Sequence, residues 1–163
     1  MFQLFTPAFI EFQAGINLLD GNLEIYLDWL LSHQISQPGL SDLVVTYKSA
    51  IELARDIYLM ERTQGSEREP VQAKISCLGE LTASIGAQTP GMHCLVWPYF
   101  IAGASSILPE DRQYFEAKLD QIHQQTRMRN IVVAMESLRD IWRQHPTGGW
   151  ALHLDRLRPV LAI

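Results

Sequence analysis

The residues whose types could do chemistry begin with five histidines, His33, His93, His123, His145 and His153, and two cysteines, Cys77 and Cys94. No histidine stands at a recognisable ligand spacing from a second one, and the cysteine pair fits neither a zinc signature nor a disulfide framework. His93 and Cys94 are adjacent, which on a helix points them roughly 100° apart, so they cannot readily act as base and nucleophile or share a metal. Ser105 and Ser106 follow Gly103, but the Gly-x-Ser-x-Gly pattern of a nucleophile elbow and its strand-turn-helix setting are absent. Hydroxyls in that place suit the satisfaction of a helix end. Glu110 and Asp111 could form a carboxylate pair, yet their position after Pro109 is that of first-turn acids facing a helix dipole. Gly148-Gly149 has no lysine after it and reads as a turn, not a phosphate loop. The aromatic residues Trp97, Tyr99, Phe100, Trp142 and Trp150 suit a core at helical spacing, or the lining of a ligand site between helices. No acid, base and orienting group occur together, so the residues name no catalytic residue and no metal ligand.

Bulk properties narrow the classes further. A chain of 163 residues is one domain by default and can bury a substantial core. The apolar fraction of 47% is too high for a disordered chain. A net charge of −5 argues against a broad nucleic-acid footprint, which needs a basic face. The charge is unevenly spread, because residues 1–62 carry 8 acidic and 3 basic groups, whereas residues 121–163 carry 3 acidic and 6 basic ones. The arginines of that end, Arg127, Arg129, Arg139, Arg143, Arg156 and Arg158, suit helix-end and surface pairing. The N-terminus is apolar but has no basic segment, and no uncharged run is long enough to span a bilayer. These features predict a soluble, intracellular protein in a reducing compartment.

The elements that must position such residues are helices. Thr6-Pro7 starts one that carries Phe5, Phe9, Phe12 and Ile16 and stops at Asp20-Gly21. A second runs from about Asn22, with Leu23, Leu27, Leu30 and Leu31 on one face, to Pro38-Gly39. A third starts at Ser41 and ends near Arg62, with Leu43, Tyr47, Ala50, Ala54 and Ile57 in one stripe. Residues 63–69 form a polar surface loop. Pro70 opens a fourth helix with Val71, Ile75, Leu78, Leu81 and Ile85 inward, and 86–91 is the next break. The stretch His93-Cys94-Leu95-Val96-Trp97-Pro98-Tyr99-Phe100-Ile101-Ala102-Gly103 then follows. Its first half is apolar on every side, so a helix there must be wrapped by its neighbours. Pro98 predicts a kink or a fresh helix start, and Gly103 with Ala104 predicts close approach of another helix. Pro109 begins a sixth helix with Phe115, Leu119 and Ile122 inward. Asn130 begins a seventh with Ile131, Met135, Leu138 and Trp142 inward. Trp150, Leu154 and Leu157 mark a last short helix, and the apolar tail docks on the body. The expected fold is all-α, an irregular bundle of about seven to eight helices built from antiparallel pairs, with residues 1–163 as a single domain.

The Trp-Pro stretch carries a resemblance. The run from His93 through Trp97, Pro98, Tyr99, Phe100, Ala102 and Gly103, then Pro109-Glu110-Asp111-Arg112 and Phe115, resembles the C-terminal signature of the fungal-specific transcription factor domain. That domain is the helical regulatory region of fungal zinc-cluster (Zn2Cys6) transcription factors. Arg129-Asn130, Leu138, Trp142 and Trp150 resemble the downstream part, so the specific match spans about residues 90–155. The resemblance implies transcription regulation in a nucleus, without catalysis. It places zinc only in a six-cysteine DNA-binding segment that these residues do not include, so no cofactor and no DNA contact are expected here. The chain is then expected to be the C-terminal part of a larger regulatory domain. It would take a protein partner or a second copy through exposed apolar helix faces, and a small-molecule effector, with no membrane. Trp97, Pro98, Tyr99 and Phe100 form its architectural centre, and Arg112 ties the sixth helix to a neighbour. The rival reading is a stand-alone helical ligand-binding or scaffold protein unrelated to transcription.

Overall fold

The computed structural model describes residues 40–63 and 67–153. The two helices expected over 6–20 and 22–37, the positions Leu154 and Leu157, and the apolar tail lie outside the described residues. Within them the fold is all-α, with no strand. Of the seven to eight helices expected, five α-helices and two 3₁₀ turns occur among the described residues.

Helix α1, Leu40–Glu61, buries Val44, Tyr47, Ala50, Ile51, Ala54, Ile57 and Tyr58, a spacing of three and four that keeps one face on the core. Helix α2, Arg68–Leu81, buries Val71, Ile75 and Leu78. It starts two residues before the expected Pro70 and stops before Ile85. The stop has a local cause: Thr82 turns both its backbone N–H and its hydroxyl onto the Leu78 carbonyl, the latter at 2.8 Å. Ile85 is still buried, but from a non-helical strap over 82–91. That strap ends at Gly91, whose φ of 75° is one a side chain would resist, and the 3₁₀ turn Met92–Leu95 follows.

Helix α3, Val96–Ser105, is the predicted apolar stretch. Pro98 falls in its first turn, where its missing N–H is no loss, so the chain makes a fresh start there. Pro98, Tyr99 and every residue from 101 to 105 are buried. The helix is wrapped by all four others, packing against α1 and α2 and against the two that follow it. Those are α4, Pro109–Thr126, which buries Phe115, Leu119 and Ile122, and α5, Arg129–Gln144, which buries Ile131, Val133, Ala134, Met135, Leu138 and Ile141. Gly103 is where they come closest. A Cβ built on it would stand 3.3 Å from Leu138 of α5 and from Phe115 of α4.

Of the last expected helix, only its start lies among the described residues. Gly148 and Gly149 have φ of 95° and 76°, and they turn the chain into the 3₁₀ turn Trp150–His153. Trp150 itself has no exposed surface.

Candidate functional site

A helix leaves its last carbonyls without intrahelical partners, and α3 ends in two buried residues, Ser105 and Ser106. Side chains from the surrounding elements serve them instead. Ser106 Oγ donates to Ala102 O at 2.6 Å. Trp142 Nε1, from α5, donates to Gly103 O at 2.8 Å. Arg68 Nη2, from the first residue of α2, donates to Ser105 O at 2.6 Å. Arg112 Nε, from α4, donates to Ser106 O at 2.8 Å. The hydroxyl of Ser105 accepts Trp150 Nε1 at 2.9 Å. Two guanidinium groups thus meet the carboxyl end of a buried helix, the end at which its dipole favours positive charge.

The same groups reach outward. Arg68 pairs with Glu61, the last residue of α1, which is 3% exposed. The other oxygen of that carboxylate, Oε2, accepts the backbone N–H of Gly149 at 2.8 Å. Arg112 donates a second bond to Pro146 O at 3.0 Å, and its guanidinium lies 5.4 Å from the centre of the Trp142 ring. Trp150 sits between Tyr58, ring centres 6.0 Å apart, and Phe100, edge-on at 6.2 Å. A Cβ on Gly148 would meet the Arg68 guanidinium at 2.7 Å, so this turn is glycine for space as well as for backbone angle.

Of the residues singled out from the sequence, Gly103, Arg112, Trp142, Trp150 and Phe100 come together at this end of α3, with Ala102 and Pro109 in the adjoining turns. Trp97, Pro98 and Tyr99 lie in the first turn of the same helix. Tyr99 packs on Phe115 with ring centres 6.1 Å apart. Its phenol and that of Tyr47 are both pushed up to about 12, first by burial. His93 is exposed in the 3₁₀ turn beside half-buried Cys94, whose thiol burial pushes upward. Asp111 accepts Gln72 Nε2 at 2.8 Å while Glu110 is exposed, so the two acids do not share a task. No group of three His, Cys, Asp or Glu able to hold a metal occurs among the described residues.

The sequence reading missed Glu61, Arg68 and Gly149 as a set. Glu61 carried a signal: an acid in the last turn of a helix opposes the dipole and asks for a cation nearby. Arg68 lies in the polar run 63–69 that reads as a surface loop, and its sequence surroundings give no sign of the partner.

The model of the fungal specific transcription factor domain matches residues 16–157. The chain belongs to this family. No curated protein and no solved structure matches it. The matched span takes in every described residue and reaches well ahead of the Trp-Pro stretch, so the helices before it belong to the same domain. In this member of the fungal transcription factor domain family, the convergence at the end of α3 therefore sits inside the family domain, and transcription regulation is the function the membership supports. No helix among the described residues is long and apolar enough to cross a membrane.

Proposed function

We propose that the chain is the regulatory module of a nuclear, zinc-cluster-type transcription regulator, with no catalysis of its own. The family match over residues 16–157 carries this reading. These 163 residues hold two cysteines, so contact with DNA falls to a six-cysteine segment outside them, and zinc belongs to that segment. The module acts through packing. The end of α3 is tied to α1, α2, α4, α5 and the last 3₁₀ turn by polar groups that must all be placed together. Such a junction has few ways to yield gradually, which suits a switch between two arrangements that an effector or a protein partner biases. The effector is a small molecule held between helices. A partner protein or a second copy docks on apolar surface side chains such as Val45 and Leu59 of α1, which are exposed.

The experiment fuses the full chain to an unrelated DNA-binding domain and reads a reporter gene in a fungal host, with the unfused chain followed by fluorescence. A change in reporter output that Arg112→Ala alters, and nuclear accumulation of the unfused chain, are the expected results. A silent reporter together with nuclear exclusion would overturn the reading and favour a stand-alone helical ligand-binding or scaffold protein.

A further inference from the structure

Serine and threonine hydroxyls in this fold are mostly spent on their own helices. Thr46, Thr63, Thr82, Ser106, Thr126 and Ser137 each donate to the carbonyl four residues earlier. Thr89 is used the other way. Its Oγ1 accepts the Gly86 N–H at 2.9 Å, and its own N–H closes the same turn on Gly86 O at 3.1 Å. A hydroxyl that accepts keeps its proton outside that bond. Thr89 is also the one Ser or Thr among the described residues that has a proline directly after it. It is half-buried, with Gln88 and Pro90 exposed on either side, in 82–91, the longest non-helical stretch among the described residues. The pair has a physical meaning for an enzyme that must grip it. Pro90 biases Thr89 toward extended backbone and presents no N–H, so an apolar pocket can take the residue after the hydroxyl without stranding a donor.

We propose that Thr89 is a phosphorylation site for a proline-directed protein kinase, and that the phosphate fastens the 86–89 turn. In the transfer, Thr89 Oγ1 bonds to the γ-phosphorus of a nucleoside triphosphate. The bond from that phosphorus to the diphosphate oxygen breaks, and the hydroxyl proton passes to the carboxylate base of the kinase. The product carries about two negative charges near neutral pH, with strong acceptor oxygens. The Gly86 N–H, already aimed at Oγ1, then meets a charge-assisted acceptor. The modified turn is one that the rest of the fold holds on both sides, from α1 by the Tyr47 bond to Pro90 O and from α4 by the Lys118 bond to Ile85 O. The site deepens the regulatory reading and rests on it for its meaning in the cell, but the modification itself can be measured without any reporter.

The full chain, with Thr6→Ala removing the other Thr-Pro pair, is incubated with a mitogen-activated protein kinase and ATP, then read by mass spectrometry and two-dimensional NMR. The expected product carries a phosphate on residue 89. Pro90→Ala, which keeps both the hydroxyl and the carbonyl that Tyr47 holds, slows the transfer by about tenfold or more, the effect of an amide left unserved in an apolar pocket. In the phosphorylated chain the Gly86 amide resonance moves downfield and its hydrogen exchange slows. The same phosphate is expected on the chain recovered from a growing fungal host. No phosphate on Thr89 of the folded chain, an equal rate for Pro90→Ala, or absence of the phosphate from the recovered chain would each overturn the site. A Gly86 amide that stays in place or exchanges faster would overturn the fastening of the turn. A reporter that Thr89→Ala leaves unchanged, with the phosphate present in the cell, would strike only the regulatory reading.

Discussion

Glu61 shows how much one side chain can be asked to hold. It stands in the last turn of α1, against the dipole, and joins Arg68 with one oxygen and the Gly149 N–H with the other. Glu61→Gln keeps the shape but weakens both bonds, and urea unfolding is expected to show a loss of about 1–3 kcal/mol, the range for a buried charged hydrogen bond left half-served. Arg143→Ala is the contrast. Arg143 pairs with Asp140 one turn away, both are exposed, and the change is expected to stay within about 0.5 kcal/mol. A loss for Arg143→Ala as large as that for Glu61→Gln would contradict the importance given to burial. Residues of this kind were only partly legible beforehand. Trp142, Trp150 and Arg112 stood out by type, because indoles and guanidinium groups in an apolar chain must find partners. Glu61 and Arg68 did not, because acids and arginines are also the ordinary furniture of a surface, and only the packing tells the two uses apart.

At the scale of elements, two helical glycines separate close packing from mere permissiveness. Gly103 of α3 would place a Cβ 3.3 Å from both Leu138 and Phe115, whereas Gly79 of α2 would place one 3.9 Å from the Tyr114 ring. Alanine removes the entropic penalty of glycine in both helices, worth up to about 1 kcal/mol. Gly79→Ala is therefore expected to stabilise. Gly103→Ala is expected to destabilise by about 1–2 kcal/mol, since its neighbours are packed from behind and cannot retreat. Thermal unfolding of the two variants, side by side, checks the opposite signs. The periodic elements α1, α2, α4 and α5 were readable because each has one apolar stripe and a marked start, such as Pro109 with Glu110 and Asp111. The close approach at Gly103 was readable too, from a small residue in an all-apolar helix. The end of α2 was not, because the apolar spacing runs on to Ile85 while the Thr82 hydroxyl takes over the Leu78 carbonyl and stops the helix. The final turn was legible only as a start: Trp150 is placed by its hydrogen bond to Ser105 and by two positive φ angles just before it, and neither leaves a periodic trace.

For the whole molecule, alkaline pH is the revealing variable. Tyr47 and Tyr99 ionise near 10 in an unfolded chain and are held up to about 12 in the folded one. Below pH 10 both states keep these protons, and the fold has its full stability. Between pH 10 and about 12 the unfolded chain releases them and the folded one does not, so stability falls as pH rises. Absorbance of phenolate followed through an alkaline titration should show a late group of tyrosines appearing with loss of helix. Full ionisation of all tyrosines near pH 10 with helix intact would refute it. The bond between Glu61 and Gly149 has a consequence of another kind, in time. It joins points 88 residues apart, so on a ribosome α1, α2 and the apolar α3 are made long before the turn that completes their junction exists. Until Trp150 has emerged, Ser105 lacks its indole and Glu61 its backbone donor, and the most apolar of the described helices waits with its end unsealed. Synthesis halted just before Gly148 would yield every α-helix described here without the closure that makes them one body. The turn at 148–150 thus closes a junction whose other parts are made well before it.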